Sequence, residues 1–194
     1  MNQKLSAILR ATALAAIVAT ASAYAAAPAF SAEMTVEVGG APMYPSKNII
    51  ENAVNSKDHT TLVAAVKAAG LVDTLSGKGP FTVFAPTNEA FAKLPAGTVD
   101  NLLKPENKAM LTKVLTCHVL PAAATSKDAM AMIKKDGGKH EVTTVGGCKL
   151  WLAMNGDKLT VTDEAGGTAN VTIKDVMQSN GVIHVVDAVL LPKM

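Results

Sequence analysis

Four histidines, two cysteines and a methionine pair are the side chains of this sequence best suited to chemistry, and their spacing limits what that chemistry can be. The histidines are His59, His118, His140 and His184. No two fall within one helical turn, and no Cys/His cluster has zinc-ligand spacing, so no metal site is expected. His59 and His140 stand in helix-start and loop contexts and read as solvated. A catalytic pair would set His118 or His184 beside Asp187 or Thr87, with nucleophile and base in hydrogen-bond reach. Nothing else points that way. The chain has no Gly-x-Ser-x-Gly elbow and no Gly-x-x-x-x-Gly-Lys-Ser/Thr loop. The expectation is no catalytic residue, no cofactor and no enzyme. Met130 and Met132 offer thioethers that suit copper. Residues two apart on a helix do not share a face, so Met130 is expected in the core and Met132 part-exposed. Cys117 and Cys148 are an even pair. In an oxidising compartment they suggest a disulfide closing a loop of about thirty residues, worth ~3 kcal/mol; two buried thiols are the alternative.

The elements that must position these groups follow from periodicity and punctuation. Gly79-Pro80 is a turn, and Phe81 to Ala85 is a short apolar run that reads as a buried strand. Pro86 has no N–H to give a ladder and ends it. Thr87 can cap the next helix, Glu89 places negative charge at its positive end, and Phe91 and Leu94 face inward. Upstream, Ser46 is expected to cap a helix to Asn55. Asp58 caps another, whose buried face is Leu62, Val63, Val66 and Ala69 and whose stop is Gly70. Leu71 to Leu75 adds a turn. Downstream, helices start at Thr98 and Pro105, and the second, with Met110, Leu111, Val114 and Leu115 on its apolar face, runs into a strand holding Cys117 and His118. Ser126 caps a helix through Lys135, with Met130 and Ile133 inward.

From His140 onward the period shifts to two. Strands are expected at 142–145, 148–154, 158–162, 169–173 and 181–191, with a hairpin at Asn155-Gly156 and a tight turn at Asn180-Gly181. Trp151 points away from Leu150 and Leu152, either against a second layer or outward as a partner anchor. Helices first and strands later argue an α+β fold. There is no internal repeat.

Three motifs in this frame carry a resemblance. Phe81-Thr82-Val83-Phe84-Ala85-Pro86-Thr87-Asn88-Glu89-Ala90-Phe91 resembles the first signature box of the fasciclin domain. Residues 180–192, Asn180-Gly181-Val182-Ile183-His184-Val185-Val186-Asp187 and onward to Pro192, resemble the second. Leu115 to Pro121 is similar to the family's Tyr-His segment, with Cys117 where the Tyr usually stands. The resemblance covers 46–192. It implies a wedge or sandwich of two β-sheets with helices mostly from the N-terminal half, and a non-enzymatic role in cell adhesion or in interaction with surfaces, matrix or envelope proteins. The binding surface it implies involves His118, Thr87, Asn88, Asn180, His184 and Asp187. Cys117 cannot supply the aromatic contact of the family Tyr, which puts animal receptor binding in doubt and suggests a crosslink instead. The competing role for the two box histidines is to order strand edges and corners.

Composition bounds the partners. Of 194 residues, 49% are hydrophobic and only 4% aromatic, so the core must be aliphatic. Lys4 and Arg10, then the apolar run Thr12 to Ala21, then Ala23-Tyr24-Ala25 read as a secretory leader at 1–25, with Ala32 a later cleavage site; the run is too short to span a bilayer. Residues 26–45 read as a mostly flexible lead-in, with Met43-Tyr44-Pro45 docking at its end. Without the leader, the 18 basic residues fall by two to 16, against 16 acidic ones. A net charge of zero with no Arg argues against nucleic acid. The expected partner is a cell-surface, matrix or envelope protein or polysaccharide, met in the periplasm or outside the cell and without membrane insertion. The alternative is a periplasmic small-ligand-binding or stress-related accessory protein, which an apolar pocket with a few converging polar groups would favour.

Overall fold

The computed structural model describes residues 34–193, so the expected leader lies outside the described residues. Gly39 and Gly40, both at positive φ (60° and 72°), make the two-residue turn of a hairpin between β1 (Val36–Val38) and β2 (Ala41–Met43). Val38, Ala41 and Met43 are buried. The hairpin puts three side chains of the expected lead-in into the core, beyond the docking expected at Met43-Tyr44-Pro45. Strands of three residues are too short for alternation to stand out among small residues.

The helical layer follows. α1 (Ile49–Ala53) is capped by Asn48, not Ser46. The Asn48 side chain accepts from the Glu51 N–H while Glu51 reaches back to the Asn48 N–H. A 3₁₀ turn (Lys57–His59) leads into α2 (Thr60–Ala69), which ends on Gly70 at φ 74°. α3 (Val72–Ser76) completes the first group. Then come β3 (Phe81–Pro86), α4 (Asn88–Ala92) and α5 (Thr98–Leu102), followed by a 3₁₀ turn at Pro105 and α6 (Lys108–Thr116). Cys117 is the C-cap of α6, and His118 lies in the turn before β4 (Val119–Leu120). Neither is in the expected strand, because the apolar face of the helix continues to its last turn. α7 (Ser126–Lys135) is capped by Thr125 rather than Ser126, and Ala129 and Ile133 are its buried face. Met130 and Met132 are both half-buried.

The strands β5 (Lys139–Thr143), β6 (Lys149–Asn155), β7 (Lys158–Thr162), β8 (Thr168–Gln178) and β9 (Gly181–Val186) fill the second half. The order across the sheet is β4-β3-β9-β8-β7-β6-β5. Only β3 and β9 run parallel; the other pairs are antiparallel. The β6–β7 hairpin pairs Asn155 with Lys158, and Gly156 takes φ 60° at the first turn position. The expected two sheets share one strand. The first part of β8 pairs with β7, while the rest pairs with β9 through register shifts between Val171 and Val176. Asp175 lies in that bulge at φ 59°. The fold is therefore α+β, with the sheet turning at β8. One core packs Ile49, Leu62, Val66, Leu115, Val83 and Ile183 beneath the helices. The other packs Leu150, Leu152, Val161 and Val186 against Ile133 of α7. Full burial of each such side chain stabilises by about 1.5–3 kcal/mol.

Candidate functional site

The two histidines of the motifs are interior ties. At 2% exposure each, neither reaches a partner at the surface. His118 Nδ1 lies 2.8 Å from the Val114 carbonyl, and its Nε2 accepts the Leu190 N–H at 2.9 Å. An acceptor at Nε2 fixes the proton on Nδ1. His184 has the opposite tautomer. Its Nδ1 accepts the Asp175 N–H at 3.3 Å, and its Nε2–H donates to the Ala124 carbonyl at 2.9 Å. Phe84 stacks on the His184 ring with centroids 5.9 Å apart. Burial holds the His118 imidazole down to about 4, against the opposing pull of the Val114 carbonyl and Asp163. Burial likewise lowers His184, opposed by the Ala124 carbonyl and Asp175. The ring that sequence reasoning offered as a partner contact, His118, is a clamp between α6 and the C-terminal segment.

The other candidates also order the fold. Thr87 caps α4, accepting the Ala90 N–H at 3.2 Å. Asn88 joins two helix starts: its carbonyl accepts from Thr60 and Thr61, and its amide donates to the Lys57 carbonyl. Asp187 accepts the Asn170 N–H at 2.7 Å and its side-chain amide at 2.9 Å. Burial pushes the Asp187 carboxyl upward, but these bonds and Lys93 outweigh it and leave it below the ordinary range. Asn180 accepts the Ile49 N–H at 3.0 Å and donates to the carbonyls of Leu75 and Gly77. Asn180 and Asp187 flank opposite ends of β9, about 20 Å apart at strand rise. The six candidates therefore do not converge on one site.

One further expectation changes and one, the disulfide, holds. His59, read as solvated, is 3% exposed, with Ser56 Oγ 2.9 Å from its Nδ1. Burial lowers its pKa, opposed by the Ala85 carbonyl and Asp58. Cys117 and Cys148 are bonded, with Cα atoms 5.4 Å apart. This tie holds the end of α6 to the start of β6. Among the described residues no group of three or more His, Cys, Asp or Glu side chains is placed to hold a metal.

Asn180 does border an open feature. A cleft of about 630 Å³ lies at the beginning of β3 and β9, between Lys78-Gly79-Pro80 and Met177 to Val182. Its position follows from a close backbone approach. A Cβ on Gly79 would fall 1.9 Å from the Asn180 carbonyl oxygen, and one on Gly181 would fall 2.1 Å from that of Phe81. Only glycine permits that distance, and it opens a notch beside the strand ends. Among the described residues Lys78 is the one charged side chain lining it, with Asn48, Gln178 and Ser179 as polar groups. Met177 is 45% exposed there. Sequence reasoning missed Met177. The available signal was alternation, since Val176 and Gln178 point inward and leave an apolar side chain on the outer face.

A second polar feature lies on the outside of β5 and β6. Trp151 donates its indole N–H to Glu141 at 3.2 Å, Glu141 pairs with Lys149 at 2.9 Å, and the Lys139 ammonium lies 5.0 Å from the indole centroid. Trp151 thus packs among side chains of its own sheet face, half-buried.

A parallel β3–β9 pair near one edge of the sheet, helices over one part of it and two buried histidines that tie the chain make up the frame of this domain. The family model of the fasciclin domain matches residues 57–192, and the chain belongs to the fasciclin family. Among its relatives, Protein sll1483 of Synechocystis sp. is 46% identical over 162 residues, covering 84% of this chain and 83% of that one. Immunogenic protein MPB70 of Mycobacterium bovis is 35% identical over 145 residues, covering 72% and 66%. Transforming growth factor-beta-induced protein ig-h3 of Sus scrofa is 36% identical over 147 residues, which is 75% of this chain but 20% of that longer protein. The solved structure of a FAS1 domain pair from the insect cell adhesion molecule Fasciclin I superposes with a TM-score of 0.54 at 23% identity, covering 67% of this chain and 43% of that one. That likeness shows the fold.

Proposed function

We propose that this protein is an exported, non-enzymatic interaction module that binds a cell-surface, matrix or envelope macromolecule. The observation that carries this reading is the division between interior and cleft. The polar groups of the two boxes are used up in ordering the chain, while the cleft beside Asn180 presents Met177, Lys78 and backbone edges to solvent. An exposed apolar side chain in a polar rim is the usual make-up of a contact patch. Export is supported by the leader-like sequence at 1–25, and among the described residues no helix is long and apolar enough to cross a membrane.

The test is crosslinking capture with the mature protein against its own cell envelope and medium. A reproducible macromolecular partner is expected, lost in Met177→Glu and Lys78→Glu variants whose melting temperatures match the parent. Absence of a partner, or equal capture by both variants, overturns the reading.

A further inference from the structure

Asn-Gly occurs twice in the chain, at Asn155-Gly156 and Asn180-Gly181, and the fold treats the two in opposite ways. In this dipeptide the backbone nitrogen that follows the Asn can reach the side-chain amide carbon, because glycine has no Cβ to hinder the approach. Asn180 is held away from that reaction. Its side chain accepts the Ile49 N–H at 3.0 Å and donates to the carbonyls of Leu75 and Gly77 at 2.8 and 2.9 Å. Its own carbonyl accepts the Phe81 N–H at 3.1 Å. Gly181 is paired with Phe81 on one side and with Gln178 on the other. Turning the Asn180 amide toward the Gly181 nitrogen would break the ties of β9 to α1 and α3.

Asn155 has none of these restraints. It ends β6, and Asn155, Gly156, Asp157 and Lys158 are all exposed. Among the described residues its side chain makes no hydrogen bond. A Cβ placed on Gly156 would meet no atom within 4 Å, so the space around the attacking nitrogen is open. The pair Asn155–Lys158 closes the hairpin, and the next pair sets Met154 against the buried Leu159. Freeing Asn155 is therefore a local fraying of the hairpin tip, whereas freeing Asn180 opens the sheet.

We propose that Asn155 is a site of spontaneous deamidation. The Gly156 nitrogen gives up its proton and bonds to the side-chain carbonyl carbon of Asn155. The bond from that carbon to the side-chain nitrogen breaks, and the nitrogen leaves as ammonia, carrying the proton with it. The cyclic succinimide left behind is opened by water at either of its carbonyls, which gives aspartate or isoaspartate at position 155. One water enters and one ammonia leaves, with no change of oxidation state. Either product adds a negative charge beside Asp157, and isoaspartate also adds a methylene to the backbone at a position paired with Lys158.

The proposal does not depend on a surface partner. The purified protein is incubated at mildly alkaline pH, once native and once in guanidinium with Cys117–Cys148 reduced. Trypsin cuts after Lys149, Lys158, Lys174 and Lys193, so mass spectrometry reads the two sites in the separate peptides 150–158 and 175–193. In the native protein Asn155 should convert at least about tenfold faster than Asn180, since its opening is the more local one. In guanidinium the two should convert at similar rates, which assigns the difference to the fold. On ion exchange the aged native protein should yield a more acidic species that an Asn155→Gln variant does not form. Equal native rates at the two sites overturn the proposal. So does an Asn155 that remains an amide in the native protein once the unfolded sample has converted.

Discussion

The interior beneath α6 and the outer face of β5–β6 use the same kinds of side chain to opposite effect. Inside, His118 spans from the Val114 carbonyl to the Leu190 N–H with no water to replace either bond. Outside, Glu141 gathers Lys149 and Trp151 at the solvent-facing surface. Both are hydrogen-bonded networks at similar distances. They differ in the alternative open to each group when its partner leaves. A buried donor left alone keeps its desolvation cost, whereas an exposed one turns to water. Geometry alone would rank the two networks as equals, and burial separates them.

The largest expected effect is therefore at His118. His118→Ala removes a buried ring and strands the Leu190 N–H, which together should cost about 3–5 kcal/mol of unfolding free energy. Urea denaturation at pH 7 measures it. A change near zero would break the comparison, since it would mean that the interior tie is as replaceable as a surface one.

Acid should act through the same groups. His59, His118 and His184 all have folded pKa values lowered from 6.5. Between the unfolded and folded values the unfolded chain binds more protons, so stability falls as pH falls. For His118, with a folded value of about 4, the window runs from about 6.5 down to about 4. Its share of the loss is about 2 kcal/mol by pH 5. Urea midpoints at pH 7 and pH 5 should differ in the parent and differ less in a folded His118→Gln variant. A parent profile that is flat over this window would remove the tautomer argument for His118.

Much of this contrast was legible in the sequence, and the part that was not has a physical cause. The strand, Pro corner and Thr87 cap at 81–91 could be read because each residue acts on its immediate neighbours. The hairpin at Gly156 and the stop at Gly70 were readable for the same reason. The resemblance pointed to both box histidines as candidates for a surface, and both are interior. Burial of His118 is decided by Leu190, seventy-two residues away, and no local pattern encodes that distance. His59 was misjudged for the same reason: its neighbours in sequence are charged, and its neighbours in space are Val38, Met43 and Ile183. The cleft was invisible for a third reason. It is shaped by two glycines whose partners are backbone atoms across a parallel pair.

The smallest expected effect sharpens the contrast from the other side. Glu141 is exposed, and its carboxyl is held below the ordinary range chiefly by the Lys149 ammonium, with the Trp151 indole N–H adding to it. Glu141→Gln removes the charge but keeps an oxygen that can accept from Trp151. Water and salt already screen the Lys149 contact, so the urea midpoint should stay within error of the parent at physiological ionic strength. Trp151 is the only tryptophan, so its emission reports this face directly. Its spectrum should move little, because the ring stays packed on its strand neighbours. If Glu141→Gln instead approached the loss seen in His118→Ala, the outer network would be holding the β5 edge in place. Distance and charge, rather than burial, would then set the value of a polar tie in this fold.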